Sequence, residues 1–291
     1  MKAKAFDKEY LYSGHGCCPG CGMPVVLKNV FQALGEQTMV VTTAGCFGTI
    51  SGVLPVSPLK LPTYNTAFAS TAAAASGVRA TLDMKGDTET TVLAVSGDGG
   101  CFDIGIQSLS GAAERNEDFI YLCYDNEAYM NTGIQRSSAT PWGAWTTTTP
   151  PLCLKDQPKK DMMQIMAAHR VPYIATASIA YMDDLIRKIK KARETRGFKF
   201  IHIVSPCPVG WRFSPELTVR IARLAVQARL FPLYEVEEGE RYILNEDPVQ
   251  VPVEAYLKLQ GRFDYLHKED IAQIQEYTDR QWKRLMRQME G

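Results

Sequence analysis

The stretch that decides the fold runs Thr90-Thr91-Val92-Leu93-Ala94-Val95-Ser96-Gly97-Asp98-Gly99, and a second apolar run ends further on at Asp125-Asn126. Residues 90–96 are mostly apolar and rich in β-formers, which predicts a buried parallel strand. A helical pattern follows over residues 103–115, and a second strand is predicted over residues 119–124. Strands that alternate with helices indicate a doubly wound, mainly parallel α/β sheet.

Asp98 and Asn126 each stand just beyond one of these predicted strands. Open α/β sheets bind ligands beyond the carboxyl ends of their strands, and Gly97 and Gly99 would let the backbone approach a ligand closely. Mg²⁺ takes a few oxygen ligands from protein and the rest from phosphate and water. One carboxylate, one amide oxygen and one backbone carbonyl would meet that demand, although Gly-Asp-Gly on its own is also a common bend.

The rest of the chain continues the same alternation of elements. The helix over residues 103–115 is expected to turn Ile104, Ile106, Leu109 and Ala112-Ala113 inward. The turn at Gly45-Cys46 follows a predicted strand and is suited to backing a cofactor. We expect residues 1–229 to form one large domain and residues 230–291 to form a C-terminal helical extension that contacts another subunit. Further helices are predicted over 24–34, 66–82, 159–169, 182–196, 216–229 and 268–289, and further strands over 38–43, 173–178 and 198–204.

Composition excludes several classes of protein. The 291 residues contain 32 Lys plus Arg and 32 Asp plus Glu, so no net field attracts nucleic acid or an anionic membrane. No apolar run reaches the roughly 20 residues that span a bilayer. The first residues, Met1 to Asp7, lack the apolar segment of a signal peptide, so a cytoplasmic location is expected.

Four of the eight cysteines form a pattern: Cys18 and Cys21 in a Cys-Pro-Gly-Cys turn, then Cys46, then Cys207. Four thiolates can hold a [4Fe–4S] cluster, and nearby backbone N–H groups can tune its potential. A structural zinc ion is the alternative for such a set, although zinc ribbons usually pair two Cys-x-x-Cys turns. Cys17 precedes Cys18, so either could be the first ligand, and the two-residue spacing to Cys21 favours Cys18.

The run Asp125-Asn126-Glu127-Ala128-Tyr129-Met130-Asn131-Thr132-Gly133-Ile134-Gln135-Arg136-Ser137-Ser138-Ala139-Thr140-Pro141 resembles the β subunit of 2-oxoacid:ferredoxin oxidoreductases, in particular of pyruvate:ferredoxin oxidoreductase. Residues 143–150, Gly-Ala-Trp-Thr-Thr-Thr-Thr-Pro, resemble the same family. The resemblance extends from about Gly14 to Trp211. It implies the thiamine diphosphate-binding fold, with thiamine diphosphate, Mg²⁺ and a [4Fe–4S] cluster as cofactors bound by residues 1–229.

The resemblance also assigns roles to individual residues. It gives the diphosphate and Mg²⁺ to Asp98, Asn126 and the Ala128 carbonyl, and it lets Thr132 and Gly133 wrap the diphosphate. It places Asn131 near the reacting centre, where we expect a hydrogen bond to the substrate or the intermediate. The four cysteines, Cys18, Cys21, Cys46 and Cys207, match the family's ligands of the cluster nearest the thiamine.

The implied partners follow from what the chain lacks. Thiamine enzymes need a glutamate from a separate pyrimidine-binding domain, and no second domain in this chain offers one. By resemblance, an α subunit supplies that glutamate, and γ and ferredoxin-like δ subunits complete the complex. The implied reaction is the CoA-dependent oxidative decarboxylation of a 2-oxoacid, foremost pyruvate, to acyl-CoA and CO₂, with electrons passed to ferredoxin.

Three alternatives are kept at this stage. The substrate could be another 2-oxoacid, namely oxalate, phenylglyoxylate, 2-oxoisovalerate or 2-oxoglutarate. A non-redox thiamine diphosphate decarboxylase or carboligase would share the diphosphate pattern without needing four cysteines. The chain could also be a non-catalytic, zinc-stabilised subunit that only scaffolds a complex.

Overall fold

An eight-stranded sheet runs through the part of the chain that the computed structural model describes, residues 8–52 and 56–290. The strands are β1 (Thr38–Thr43), β2 (Thr63–Thr66), β3 (Thr91–Gly97), β4 (Ile120–Asp125), β5 (Tyr173–Ser178), β6 (Lys199–Val204), β7 (Tyr234–Glu237) and β8 (Arg241–Leu244). Their order across the sheet is β2-β1-β3-β4-β6-β5-β7-β8. The first six in that order are parallel, and β7 and β8 add an antiparallel edge. The predicted doubly wound, mainly parallel α/β fold is therefore confirmed.

Helices cover both faces of the sheet. They are α1 (Gly22–Leu34), α2 (Cys46–Ser51), α3 (Thr71–Met84), α4 (Ile106–Glu114), α5 (Met162–Ala168), α6 (Met182–Glu194), α7 (Pro208–Trp211), α8 (Thr218–Gln227), α9 (Val253–Leu257) and α10 (Lys268–Glu290). Helices α1, α2 and α6 share one apolar core with the sheet, and α3, α4 and α5 share a second core on the opposite face. Helices α7, α8 and α9 surround a third cluster around the buried Trp211.

The register of the central strands brings the predicted site residues together. Strands β4 and β6 are buried along their whole length, as central strands of parallel sheets are. Gly97 of β3 pairs with Tyr124 of β4, so both strands end at the same edge of the sheet. Asp98 and Asn126 therefore lie side by side, as predicted.

The structure departs from the sequence-based expectations in three places. The helix predicted from residue 103 begins at Ile106, because Gly99–Asp103 forms a single π-helical turn. That turn changes the phase of the following residues, so Ile104 is 48% exposed and its predicted inward position is wrong. Strand β2 was not predicted, and its last residue, Thr66, falls at the start of the helix predicted over 66–82, which begins at Thr71. The hairpin of β7 and β8 was not predicted either. The sheet thus continues beyond residue 229, and the contact role of residues 230–291 stays a prediction.

Glu235 anchors the antiparallel edge. Its carboxylate is 1% exposed and accepts hydrogen bonds from Tyr173 Oη at 2.8 Å and Lys191 Nζ at 2.6 Å. Arg187 Nη2 lies 2.7 Å from its other oxygen. Burial alone would raise the pKa of Glu235, but these donors outweigh burial and lower the pKa to about 2.

We expect Glu235→Gln to lower the free energy of unfolding by about 2 kcal/mol at pH 7, because charge-assisted hydrogen bonds to a buried group are lost. The folded pKa of about 2 lies below the ordinary glutamate value, so the contribution is complete above about pH 4.3 and is lost as the pH falls towards 2. Urea unfolding of both proteins at pH 7 and pH 3 measures the difference, which should shrink at pH 3. Glu237→Gln on the same strand is the control, and its partly exposed ion pairs should cost less than about 1 kcal/mol.

Candidate functional site

Asp98 lies at the centre of the candidate site, directly after β3. It is fully buried, and Ser137 Oγ donates a hydrogen bond to its Oδ2 at 2.5 Å. Burial, together with the charge of nearby Asp125, raises the pKa of Asp98 well above its usual range. A buried carboxylate of this kind favours a positive partner, because an isolated buried charge is costly.

Asn126 and the Ala128 carbonyl complete a set around Asp98. The terminal atom of the Asn126 amide that faces Asp98 lies 2.9 Å from Asp98 Oδ1 and 2.9 Å from the Ala128 oxygen. If this atom is the amide nitrogen, it donates a hydrogen bond to each of the two oxygens. If it is the amide oxygen, three oxygens face one another, and only a bound cation can hold them together. Adjacent ligands of an octahedral Mg²⁺ at 2.0–2.1 Å are about 2.9 Å apart. These three groups therefore fit Mg²⁺ and leave room for phosphate and water.

A cavity of about 230 Å³ opens beside these groups at the carboxyl edge of the sheet. Nine of the ten residues predicted to contact the thiamine cofactor, the substrate or Mg²⁺ line it: Gly45, Cys46, Gly97, Asp98, Gly99, Asn126, Ala128, Asn131 and Thr132. Gly133 does not line it. The 129–135 turn, closed by a bridge between Tyr129 and Gln135, carries Gly133 away from the cavity.

Two glycines are required by the shape of this cavity. A Cβ atom on Gly99 would lie 2.4 Å from the ring of Tyr129, which lines the cavity and donates to Asp103 Oδ2 at 2.9 Å. Gly45 has a φ of +144°, a conformation that other residues rarely adopt. Both glycines thus shape the cavity wall.

A second cavity of about 200 Å³ gathers the cysteines. Cys18, Cys21, Cys46 and Cys207 all line it, and so does Cys17. The structure therefore brings the four predicted ligands together, while the choice between Cys17 and Cys18 stays a prediction. The described residues include no group of three or more His, Cys, Asp or Glu side chains arranged around a single metal ion.

Three of these cysteines stand at the start of a helix. Cys21 immediately precedes α1, Cys46 opens α2, and Cys207 precedes α7 and accepts a hydrogen bond from the Gly210 amide at 3.4 Å. Burial raises the pKa of Cys46 to about 12 and that of Cys207 to about 11, while a hydrogen bond from the Cys17 thiol lowers the pKa of Cys21 to about 7. A bound metal would have to supply the free energy that keeps the buried thiols deprotonated.

The two cavities adjoin each other. Cys46, Asn126, Met130 and Asn131 line both of them. Thr49 Oγ1 donates to Asn131 Oδ1 at 3.0 Å, which orients the amide and lets its NH₂ group donate to a further molecule. A reaction in the first cavity would thus take place directly beside the cysteines.

A buried ionic network behind Asn126 was not predicted from the sequence. Its members are Asp125, Glu127, Lys159, His202 and Arg262. Burial would raise the pKa of Asp125, but Lys159 and His202 outweigh burial and lower the pKa to about 2. Asp125 and Glu127 flank Asn126 and could have been found from that position. Lys159, His202 and Arg262 carry no sequence signal of their own.

The sequence matches a family model and several known proteins. Residues 43–203 match the family model described as "Thiamine pyrophosphate enzyme, C-terminal TPP binding domain". The chain is 48% identical to the pyruvate synthase subunit PorB of Methanothermobacter thermautotrophicus, over 94% of this chain and 96% of that protein. It is 47% identical to the ketoisovalerate oxidoreductase subunit VorB of Pyrococcus furiosus, over 96% of this chain and 93% of that protein.

A solved structure shares the fold. The 2-oxoglutarate:ferredoxin oxidoreductase from Magnetococcus marinus superposes with a TM-score of 0.59 and 22% identity, covering 76% of this chain and 84% of that one. Among the helices of residues 8–52 and 56–290, none is long and apolar enough to cross a bilayer.

The fold and the matched family model define a thiamine diphosphate-binding enzyme domain. More narrowly, the chain belongs to the family of 2-oxoacid:ferredoxin oxidoreductase β subunits, as its relatives over nearly its whole length show.

Proposed function

We propose that this chain binds thiamine diphosphate, Mg²⁺ and a [4Fe–4S] cluster and is the catalytic subunit of a CoA-dependent 2-oxoacid:ferredoxin oxidoreductase. The observation that carries the proposal is the shared wall between the two cavities, to which Cys46 and Asn131 both contribute. Thiamine diphosphate, when bound, stabilises the negative charge left by decarboxylation, while the protein positions and polarises the reacting groups. Two electrons must then leave singly, which requires an acceptor close by.

The groups around Asp98 support the diphosphate part of the proposal. Asp98, Asn126 and the Ala128 carbonyl would hold Mg²⁺, since the Asn126 amide lies 2.9 Å from an oxygen of each of the other two, which is the spacing of adjacent octahedral ligands. Gly45 and Gly99 keep the cavity open for the cofactor, with Thr132 at its rim. Asn131 would hydrogen-bond the substrate, because its oxygen is already occupied by Thr49 and its NH₂ group is free to donate.

The arrangement of the cysteines supports a cluster over zinc. A zinc ion bound to four thiolates at 2.3 Å would bring the sulfurs to about 3.8 Å from one another. Cys18, Cys21, Cys46 and Cys207 instead line a cavity of about 200 Å³, which is far larger than a single zinc ion. A [4Fe–4S] cluster binds each thiolate to a different iron, which suits ligands spread around a cavity.

The partner proposal rests on the cofactor cavity. No glutamate from residues 8–52 or 56–290 lines it, so the carboxylate that activates the aminopyrimidine would come from an α subunit. The complex would further include γ and ferredoxin-like δ subunits and would pass electrons to ferredoxin. The relatives are each named as one lettered subunit of an enzyme, which supports a complex of several subunits.

Pyruvate is the substrate we propose, with 2-oxoisovalerate as the second candidate. The second is favoured by the VorB relative, whose 47% identity is close to the 48% of the PorB relative. The two acids differ by two methyl groups, and each such group changes kcat/KM by about 10-fold or more in a fitted pocket.

The test is purification of the complex without air, followed by assays of a 2-oxoacid panel with CoA and a viologen dye as acceptor. We expect CoA-dependent dye reduction, with kcat/KM for pyruvate at least about 10-fold above that for 2-oxoisovalerate. The reverse preference would make 2-oxoisovalerate the substrate. CO₂ release without any dye reduction would instead favour a non-redox decarboxylase or carboligase.

A further inference from the structure

Arg262 connects the C-terminal extension to the proposed metal site. It lies on a short 3₁₀ turn, Gly261–Phe263, and is 2% exposed. Its Nη2 donates to Glu127 Oε2 at 2.6 Å and to Tyr256 Oη at 3.2 Å, and its Nε donates to Gln260 Oε1 at 3.0 Å. The guanidinium is therefore fixed in place by partners on its own segment while it holds Glu127.

Glu127 has an unusual backbone conformation for its residue type. Its φ of +67° lies in the left-handed region, which non-glycine residues seldom occupy. It stands between Asn126 and Ala128, so its φ and ψ set how the Asn126 side chain and the Ala128 carbonyl face each other. Any interaction that holds Glu127 in this conformation also holds the two proposed Mg²⁺ ligands beside it.

Every polar group of Glu127 has a partner. Its amide donates to Asp125 Oδ1 at 3.0 Å, and its carbonyl accepts from Thr140 Oγ1 at 2.6 Å. Its carboxylate is shared between Arg262 and Lys159, whose Nζ lies 2.8 Å from Oε1. Arg262 is 2% exposed, whereas the Lys159 side chain is 24% exposed, so Arg262 is the more rigid of the two cations.

Arg262 also contacts residues 125–128 indirectly, through Trp211. Its guanidinium carbon lies 3.9 Å from the centroid of the Trp211 ring, and Trp211 Nε1 donates to the Asn126 carbonyl at 2.7 Å. The arginine thus supports the turn on both sides of the Asn126–Glu127 peptide. A lysine could pair with Glu127, but it has no flat guanidinium that can stack on Trp211 while its N–H groups donate.

We infer that Arg262 is a positioning residue for the metal-binding turn, residues 125–128. It holds Glu127 in the left-handed conformation, and in this way it sets the spacing between the Asn126 side chain and the Ala128 carbonyl. The inference rests on the proposed function, because it concerns the affinity of the proposed Mg²⁺ site. It assigns a role in cofactor binding to a segment that lies outside residues 43–203, the part of the chain that matches the family model.

The test is Arg262→Gln in the complex, with the Mg²⁺ concentration that half-saturates thiamine diphosphate binding measured by titration calorimetry. We expect this concentration to rise about 10- to 100-fold, as it does when outer partners of metal ligands are removed. At saturating Mg²⁺, thiamine diphosphate should bind nearly as tightly as it does to the wild type. Arg262→Lys should fall between the two proteins.

Two further variants separate positioning from general stability. Arg212→Gln is the matched control, because Arg212 also stacks on a tryptophan, Trp145 at 3.7 Å, but is exposed and makes no bond to Glu127. Its half-saturating Mg²⁺ concentration should stay within about twofold of the wild type. Glu127→Gln should raise that concentration on its own but add little when combined with Arg262→Gln, because both changes break the same contact.

The outcomes are distinct. The inference is overturned if Arg262→Gln has the same Mg²⁺ requirement as the wild type, or if the effects of Arg262→Gln and Glu127→Gln are fully additive. Either result leaves the proposed function intact. Thiamine diphosphate binding by the wild type without any divalent cation overturns the proposed metal site and the inference with it. If Arg262→Gln does not fold, Arg262→Lys decides, and a half-saturating Mg²⁺ concentration within twofold of the wild type then counts against the inference.

Discussion

Asp98→Asn is expected to abolish Mg²⁺-dependent binding of thiamine diphosphate, with an affinity loss of more than about 100-fold. Asp98 is the one anionic group in the proposed ligand set, and even changes in the outer partners of metal ligands cost about 10- to 100-fold. Asparagine has the same shape and can still accept the hydrogen bond from Ser137. The loss would therefore reflect the missing charge. Titration calorimetry of the complex with thiamine diphosphate and Mg²⁺ measures it.

The same change should act in the opposite direction on the stability of the cofactor-free protein. Asp98 is fully buried, its pKa is raised, and it lies near the charge of Asp125. A neutral side chain removes a buried charge that, without a bound cation, is compensated only in part by the hydrogen bond from Ser137. We expect the cofactor-free variant to unfold at the same temperature as the wild type or a higher one.

Asp118→Asn is the control for this prediction. Asp118 is a partly buried carboxylate just before the amino-terminal end of β4, away from the candidate site. It accepts hydrogen bonds from Lys199 and Arg196 there. It should leave thiamine diphosphate affinity unchanged. If Asp98→Asn binds thiamine diphosphate with the wild-type Mg²⁺ requirement, Asp98 is not a metal ligand, and the scaffold interpretation gains.

The central sheet could be predicted from sequence because its strands are long apolar runs. The outer strands of the sheet, β2, β7 and β8, could not be predicted with the same rules. Strand β2 reads Thr-Tyr-Asn-Thr and is half-exposed, so neither alternation nor apolarity marks it. Strand β7 contains Glu235, a residue type that is rare in buried strands. Its donors, among them Arg187 and Lys191 on α6, make that position acceptable.

The candidate site likewise contains residues that could be predicted from the sequence and residues that could not. Asp98 and Asn126 could be predicted because each follows a strand and the register of parallel strands brings such positions together. Arg262 could not, because it lies 135 residues from the Glu127 that it holds. Local patterns identify groups that a sheet edge brings together, whereas the residues that orient those groups are placed by tertiary packing.

Cys207→Ser is expected to remove the iron–sulfur cluster and with it the electron transfer to ferredoxin or viologen. Complex purified without air should contain about four iron and four sulfide per site that this chain forms. Cys207 is one of the four predicted ligands around the cysteine cavity, and a serine oxygen is a poor ligand for the cluster irons. We expect loss of the iron and sulfide at this site and a fall of at least about 100-fold in dye reduction.

Thiamine diphosphate binding should survive this change, because Cys207 does not line the cofactor cavity. Cys153→Ser is the control, since Cys153 is exposed and lines neither cavity. Parallel Cys17→Ser and Cys18→Ser variants decide between the two adjacent thiols, because the true ligand is the one whose loss removes iron. Wild-type complex without iron or sulfide at this site would refute the cluster and leave the non-redox thiamine enzyme as the better account.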